Sequence, residues 1–64
     1  MFIEGTRVQL KDNLEFYIGG YEFVYPKGLP GVVEAVFEAD ETCAVLFDTH
    51  SYDIEVHMAE LDII

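Results

Sequence analysis

The sequence predicts an all-β fold, a small barrel of about five strongly bent antiparallel strands, and three observations lead there. A Gly-Pro-Gly corner, Lys27-Gly28-Leu29-Pro30-Gly31, interrupts the chain near its middle. After it come three short apolar runs with period-two character, separated by polar turns and closed by Ala59-Glu60-Leu61-Asp62-Ile63-Ile64. The whole is only 64 residues long, which is one domain's worth of chain.

A first strand is expected over Thr6–Leu10, with Val8 and Leu10 on one face and Arg7 and Gln9 on the other. Lys11-Asp12-Asn13 turns out of it. From Leu14 to Tyr25 the chain is aromatic-rich and broken by Gly19-Gly20, a pair that adopts positive φ easily and suits a hairpin tip or a mobile loop. A helix here would carry both glycines at about 1 kcal/mol each. The expectation is one long excursion of two irregular extended arms, Glu15–Ile18 and Tyr21–Tyr25.

Pro26, Pro30 and Gly31 force the corner, because proline fixes φ and pushes the preceding residue toward extended geometry. The next strand, Gly31–Glu38, has valines in both period-two sets, which a bulge that switches faces part-way would reconcile. Ala39–Thr42 then turns into Cys43–Phe47, with Val45 and Phe47 inward. A second turn at Asp48–Ser51 leads to Tyr52–His57, where Tyr52, Ile54 and Val56 alternate with Asp53, Glu55 and His57. Met58-Ala59-Glu60 makes a single helical turn before the closing strand Leu61–Ile64. The expected core is Val8, Leu10, Val33, Phe37, Val45, Phe47, Val56 and Leu61.

The frame Gly5-Thr-Arg-Val-Gln-Leu10, a long loop, Lys27-Gly-Leu-Pro-Gly-Val-Val-Glu-Ala-Val36, Ala44-Val-Leu-Phe-Asp48, Ile54-Glu-Val56 and Glu60-Leu-Asp-Ile-Ile64 resembles the SH3-like small-barrel superfamily. Within it, the likeness is to bacterial and phage domains with a KOW-like core, and to the layout of the small barrel protein of photosystem I and related cyanobacterial barrels. The resemblance covers almost the whole chain and implies the fold rather than a function. Nucleic-acid-binding KOW domains carry basic loops, whereas the matching loops here hold Glu38, Asp40, Glu41 and Asp53. Peptide-binding SH3 domains carry an ALYDY-type segment and a specificity tryptophan, and this chain has no tryptophan.

Composition bears on function through two imbalances. The chain is 52% hydrophobic with four tyrosines and five phenylalanines, while a domain of this size buries only about 60% of its unfolded surface. Apolar side chains therefore stay outside the core, to be covered by a partner or by a further copy in a homo-oligomer. The second imbalance is charge: 13 acidic against 3 basic residues give a net charge of −10. That disfavours phosphate chains and anionic membranes and favours a protein partner with a basic surface. Cys43, the single cysteine, sits in an apolar run and reads as a small core hydrophobe. With no signal-peptide pattern at Met1–Leu10 and no apolar stretch of about 18 residues, a soluble, cytoplasmic protein is expected. Length and Met start fit a small bacterial or phage accessory protein.

Three constellations are candidates for chemistry. Asp48, His50, Asp53 and His57 are metal-ligand types within ten residues, but their spacing matches no standard site, and no metal or other cofactor is expected. The same residues read as acid–base machinery lack a nucleophile or oxyanion device, so no catalytic residues are assigned. The aromatic group Phe16, Tyr17, Tyr21, Phe23 and Tyr25 is expected to divide between capping the barrel and lining a groove beside the turn at Asp48–Ser51. Tyrosine's rigid area and polar tip suit the centre of an interface. The expected partner-binding set is therefore Tyr17, Tyr21, Phe23, Tyr25, Asp40, Glu41, Asp48, His50 and Asp53. These residues suit a non-enzymatic protein-interaction module without direct nucleic-acid or membrane binding. Two alternatives stand beside it: an acidic nucleic-acid mimic whose carboxylates on Glu34, Glu38, Asp40, Glu41, Asp53 and Glu55 replace phosphates, or a structural component of a larger assembly.

Overall fold

The alternation in Arg7-Val8-Gln9-Leu10 becomes the first strand, β1 (Arg7–Leu10), in a computed structural model that describes every residue from Met1 to Ile64. Then follow β2 (Leu14–Ile18), β3 (Tyr21–Tyr25), β4 (Pro30–Phe37), β5 (Thr42–Phe47), β6 (Ile54–His57) and β7 (Leu61–Ile63). Single 3-10 turns at Glu38–Asp40 and Met58–Glu60 are the only helical pieces, so the fold is all-β, with the short helical turn placed before the last strand as expected. Five strands make one antiparallel sheet in the order β6-β5-β4-β1-β7, and β2 and β3 form a separate hairpin.

The eight-residue strand β4 organises the sheet, pairing with β1 through its first residues and with β5 along its length. Its register against β5 shifts between Val33 and Ala35, which is the bulge that the two interleaved valine sets demand. Before the shift Val33 is buried; after it Val36 packs against the core and Phe37 turns outward, 42% exposed. Phe37 is therefore not a core residue, because a one-residue shift exchanges the two faces of a strand.

Gly31, buried at the start of β4 opposite Phe47, has no unusual φ. Its constraint is space: a Cβ there would lie 2.8 Å from the Leu46 carbonyl oxygen and 2.9 Å from Val45 Cγ1. The corner thus needs glycine for close approach of two backbones.

The core is Val8, Leu10, Tyr25, Val33, Cys43, Val45, Phe47, Val56 and Leu61. Cys43 is fully buried, and burial, with the nearby Glu38 charge, raises its thiol pKa; it serves as a small apolar side chain. Tyr52 does not join Ile54 and Val56 inside: β6 begins only at Ile54, and Tyr52 is 57% exposed in the preceding loop.

Residues 14–25 depart from the expected irregular arms, because β2 and β3 pair regularly from Leu14↔Tyr25 to Ile18↔Tyr21. Gly19 and Gly20 both take positive φ, 59° and 84°, the combination a two-residue hairpin turn needs to match strand twist. The hairpin is pinned at its base. Asn13 Oδ1 accepts the Lys27 N–H at 2.8 Å, and Leu10 exchanges backbone hydrogen bonds with Gly28 and Leu29.

Candidate functional site

Cross-strand pairing sorts the hairpin's side chains into two unlike faces. Leu14, Phe16 and Ile18 share one with Tyr25, Phe23 and Tyr21, so that six apolar or aromatic residues line it without a charge. Glu15, Tyr17, Glu22 and Val24 occupy the other, where the Tyr17 hydroxyl donates to Glu22 Oε2 at 3.0 Å. The apolar face is covered at its base only. Tyr25 is 2% exposed there, in contact with Phe16, Phe47 and His50, with ring centroids 5.5, 5.5 and 4.3 Å away. Toward the tip, Phe23 stacks on Phe16 at 5.5 Å, while Ile18 is 60% and Tyr21 74% exposed.

Between this face and β6 lies an open cleft of about 410 Å³, lined by Leu14, Phe16, Ile18, Ile54 and Glu55. Four of the five are apolar, a composition typical of binding clefts. β6 is an edge strand of the sheet, and its outer side pairs with nothing.

The expected partner-binding residues do not meet on one surface. Tyr21 and Phe23 stand on the apolar face of the hairpin, and Tyr17 on the opposite one. Tyr25 belongs to the core and is inaccessible; burial first, and the neighbouring Tyr52 phenol second, raise its pKa, although its hydroxyl has no partner at hydrogen-bond geometry. Asp40 and Glu41 sit in the turn before β5, whereas Asp48, His50 and Asp53 sit in the loop after it. A six-residue strand separates those groups by roughly 17 Å.

Asp48 is occupied elsewhere: Arg7 holds it in a two-pronged ion pair at 3.1 and 3.0 Å, and that hydrogen bonding lowers the carboxyl pKa and raises that of the guanidinium. His50 lies flat on Tyr25, its Nδ1 2.9 Å from Thr49 Oγ1. No three histidine, cysteine or carboxylate side chains converge as a metal site. Of the carboxylates of the proposed phosphate-mimicking stripe, Glu38, Asp40 and Glu41 lie just before β5, Glu34 lies within β4, Asp53 precedes β6, and Glu55 Oε2 accepts a 2.7 Å hydrogen bond from Thr42 at the start of β5.

Of the residues lining the cleft, Leu14, Ile18 and Ile54 stand outside every expected binding group, whereas Phe16 belongs to the aromatic group and Glu55 to the phosphate-mimicking carboxylates. The signal for half of it was present, since Leu14, Phe16 and Ile18 alternate with Glu15 and Tyr17. No helix is long and apolar enough to cross a membrane. No protein-family model matches this chain, and neither a curated protein nor a solved structure does.

Proposed function

We propose that this protein is a non-enzymatic interaction module of the SH3-like small-barrel kind, docking on a protein partner through the apolar face of its hairpin and using its acidic surface for steering. The observation that carries the proposal is the half-covered hairpin face, where Tyr21, Phe23 and Ile18 stay exposed above an apolar cleft on a chain of net charge −10. Exposed apolar area of this kind supplies affinity, and a strong single-sign field supplies encounter rate. The sheet order β6-β5-β4-β1-β7, the separate hairpin and the 3-10 turn before β7 support the barrel kinship. A single buried thiol fits the reducing cytoplasm of a bacterial or phage-infected cell.

The test is a pull-down from cells at low and high salt, followed by affinity measurement with the captured protein. A module keeps most of its affinity at about 1 M salt, where exposed charges are screened beyond about 3 Å. Tyr21→Ala then weakens binding by about 2 kcal/mol or more, exceeding the effect of Asp40→Asn and Glu41→Gln combined. The reverse order, with affinity collapsing in salt and nucleic acid displacing the partner, would establish the phosphate mimic instead.

A further inference from the structure

We propose that the free edge of β6 takes up one extended segment of the partner, a strand in which apolar residues alternate with lysine or arginine. This rests on the interaction-module function proposed above and specifies where and what the module binds.

The backbone of β6 supplies the first part. Met58 donates its N–H to the Glu41 carbonyl, and Val56 and Ile54 lie opposite Cys43 and Val45 of β5. Antiparallel pairing alternates, so Ile54, Val56 and Met58 point their polar backbone groups toward β5, and Glu55 points its N–H and C=O away from the sheet. No backbone hydrogen bond outside the strand ladders involves Glu55. Edge strands are ordinarily blunted by shortness, charged side chains, proline or a bulge. β6, Ile54-Glu55-Val56-His57, is short and carries the one acid Glu55, but has no lysine, proline or bulge to turn an added strand away.

The side chains supply the pattern. A strand added to this edge sets its alternate residues beside Ile54 and Val56 on one face and beside Glu55 on the other. The first face opens on the cleft between Ile54 and the Leu14, Phe16 and Ile18 row, which accepts apolar side chains. The second presents Glu55, which also borders the cleft and whose Oε2 accepts from Thr42, with Asp53 before it. Neither 14–25 nor 49–57 contains a lysine or arginine, while Glu15, Glu22, Asp53 and Glu55 all fall within them. Opposite charges across neighbouring strands are favourable and like charges are not. A second copy of the chain is disfavoured on the same ground, since antiparallel pairing of two β6 edges would set Asp53 and Glu55 of one copy against those of the other.

The test uses the full chain, isotope-labelled, titrated with a synthetic peptide of about seven residues, the length of an ordinary strand, in which Leu and Lys alternate. Two control peptides accompany it: one N-methylated at alternate amides, which removes one ladder edge, and one with Glu in place of Lys. The expected result is one-to-one binding with the largest shifts at Ile54, Glu55, Phe16 and Ile18, and amide exchange at Glu55 slowed about tenfold or more. N-methylation of the peptide should weaken binding about tenfold or more, and the Glu peptide should not bind. Ile18→Lys, at an exposed position, should weaken binding similarly while melting near the parent. Glu55→Pro, which removes an N–H that no strand of the protein uses and also the acceptor of the Thr42 hydroxyl, should weaken binding similarly with some loss of melting temperature.

Strand addition is overturned if the Leu/Lys peptide does not bind. It is equally overturned if binding survives N-methylation with shifts scattered over Asp40, Glu41 and other acids, or if sedimentation shows a dimer that Glu55→Pro dissociates. The N-methylated peptide keeps the test decisive even should a variant fold poorly. Any of these failures leaves the module itself standing, which only the salt and Tyr21→Ala results on the captured partner can remove.

Discussion

The Tyr25 ring lies face-on against the His50 imidazole, with centroids 4.3 Å apart and planes inclined by 16°. This contact ties the base of the hairpin to the loop between β5 and β6, and Tyr52 adds an edge-on contact to His50 at 6.2 Å. Removing His50 therefore loosens the hairpin before it loosens the sheet. His50→Ala is expected to cost about 1 kcal/mol, the worth of a good ring pair, and to speed amide exchange in β2 and β3 more than in β4 and β5. Equal acceleration throughout would mean that the stack supports the whole fold.

Tyr25 itself carries a second prediction, because its buried hydroxyl has no partner at hydrogen-bond geometry. An unsatisfied buried polar group costs about 1 to 3 kcal/mol, so Tyr25→Phe should raise the stability, by up to about 1 kcal/mol once incomplete desolvation is allowed for. A loss of more than about 1 kcal/mol in denaturant titration would show that Tyr52 satisfies the hydroxyl in solution.

The two phenylalanines that β4 and β5 end on should respond very differently to truncation. Phe47 is 1% exposed and Phe37 42%. Phe47→Ala is expected to cost about 3 to 5 kcal/mol, comparable to the entire stability of a small domain. Phe37→Ala should cost under about 1 kcal/mol, as surface changes usually do. Similar losses would place the β4 bulge elsewhere.

Glu41 closes the first 3-10 turn in the left-handed region, at φ 56° and ψ 39°. A side chain there costs about 1 to 2 kcal/mol that glycine avoids, so Glu41→Gly should stabilise by up to about 1 kcal/mol and raise the melting temperature by several degrees. A lower melting temperature would mean that the glutamate side chain contributes more than its backbone strain costs.

The Arg7–Asp48 pair sets a pH dependence whose sign follows from the depressed carboxyl pKa of Asp48. The pair's contribution is fully present above the unfolded-state value of about 3.9 and disappears as pH falls through the lower folded value. The gap in melting temperature between parent and Asp48→Asn should be small, because both side chains are about half exposed, and constant from about pH 8 to pH 5. It should close below about pH 4; a gap that widens there would contradict the pairing.

Strand content was legible in the chain because alternation and turn residues are local signals. Val8 and Leu10, Val45 and Phe47, the Met58–Glu60 turn and the Gly31 corner all follow from neighbours within a few residues. Even the β4 bulge was implied by valines in both period-two sets, but its position was not, and that position decides whether Phe37 points in or out. Only the assembled fold could set the cleft. It lies between residues 14–18 and 54–55, brought together by a sheet order that no local pattern encodes, and it turns on β6 being an edge rather than an interior strand. The same assembly buried Tyr25 while leaving Tyr21 free on the same face, because cross-strand pairing assigns a face and only packing against Phe47 and His50 decides how far along it the core reaches.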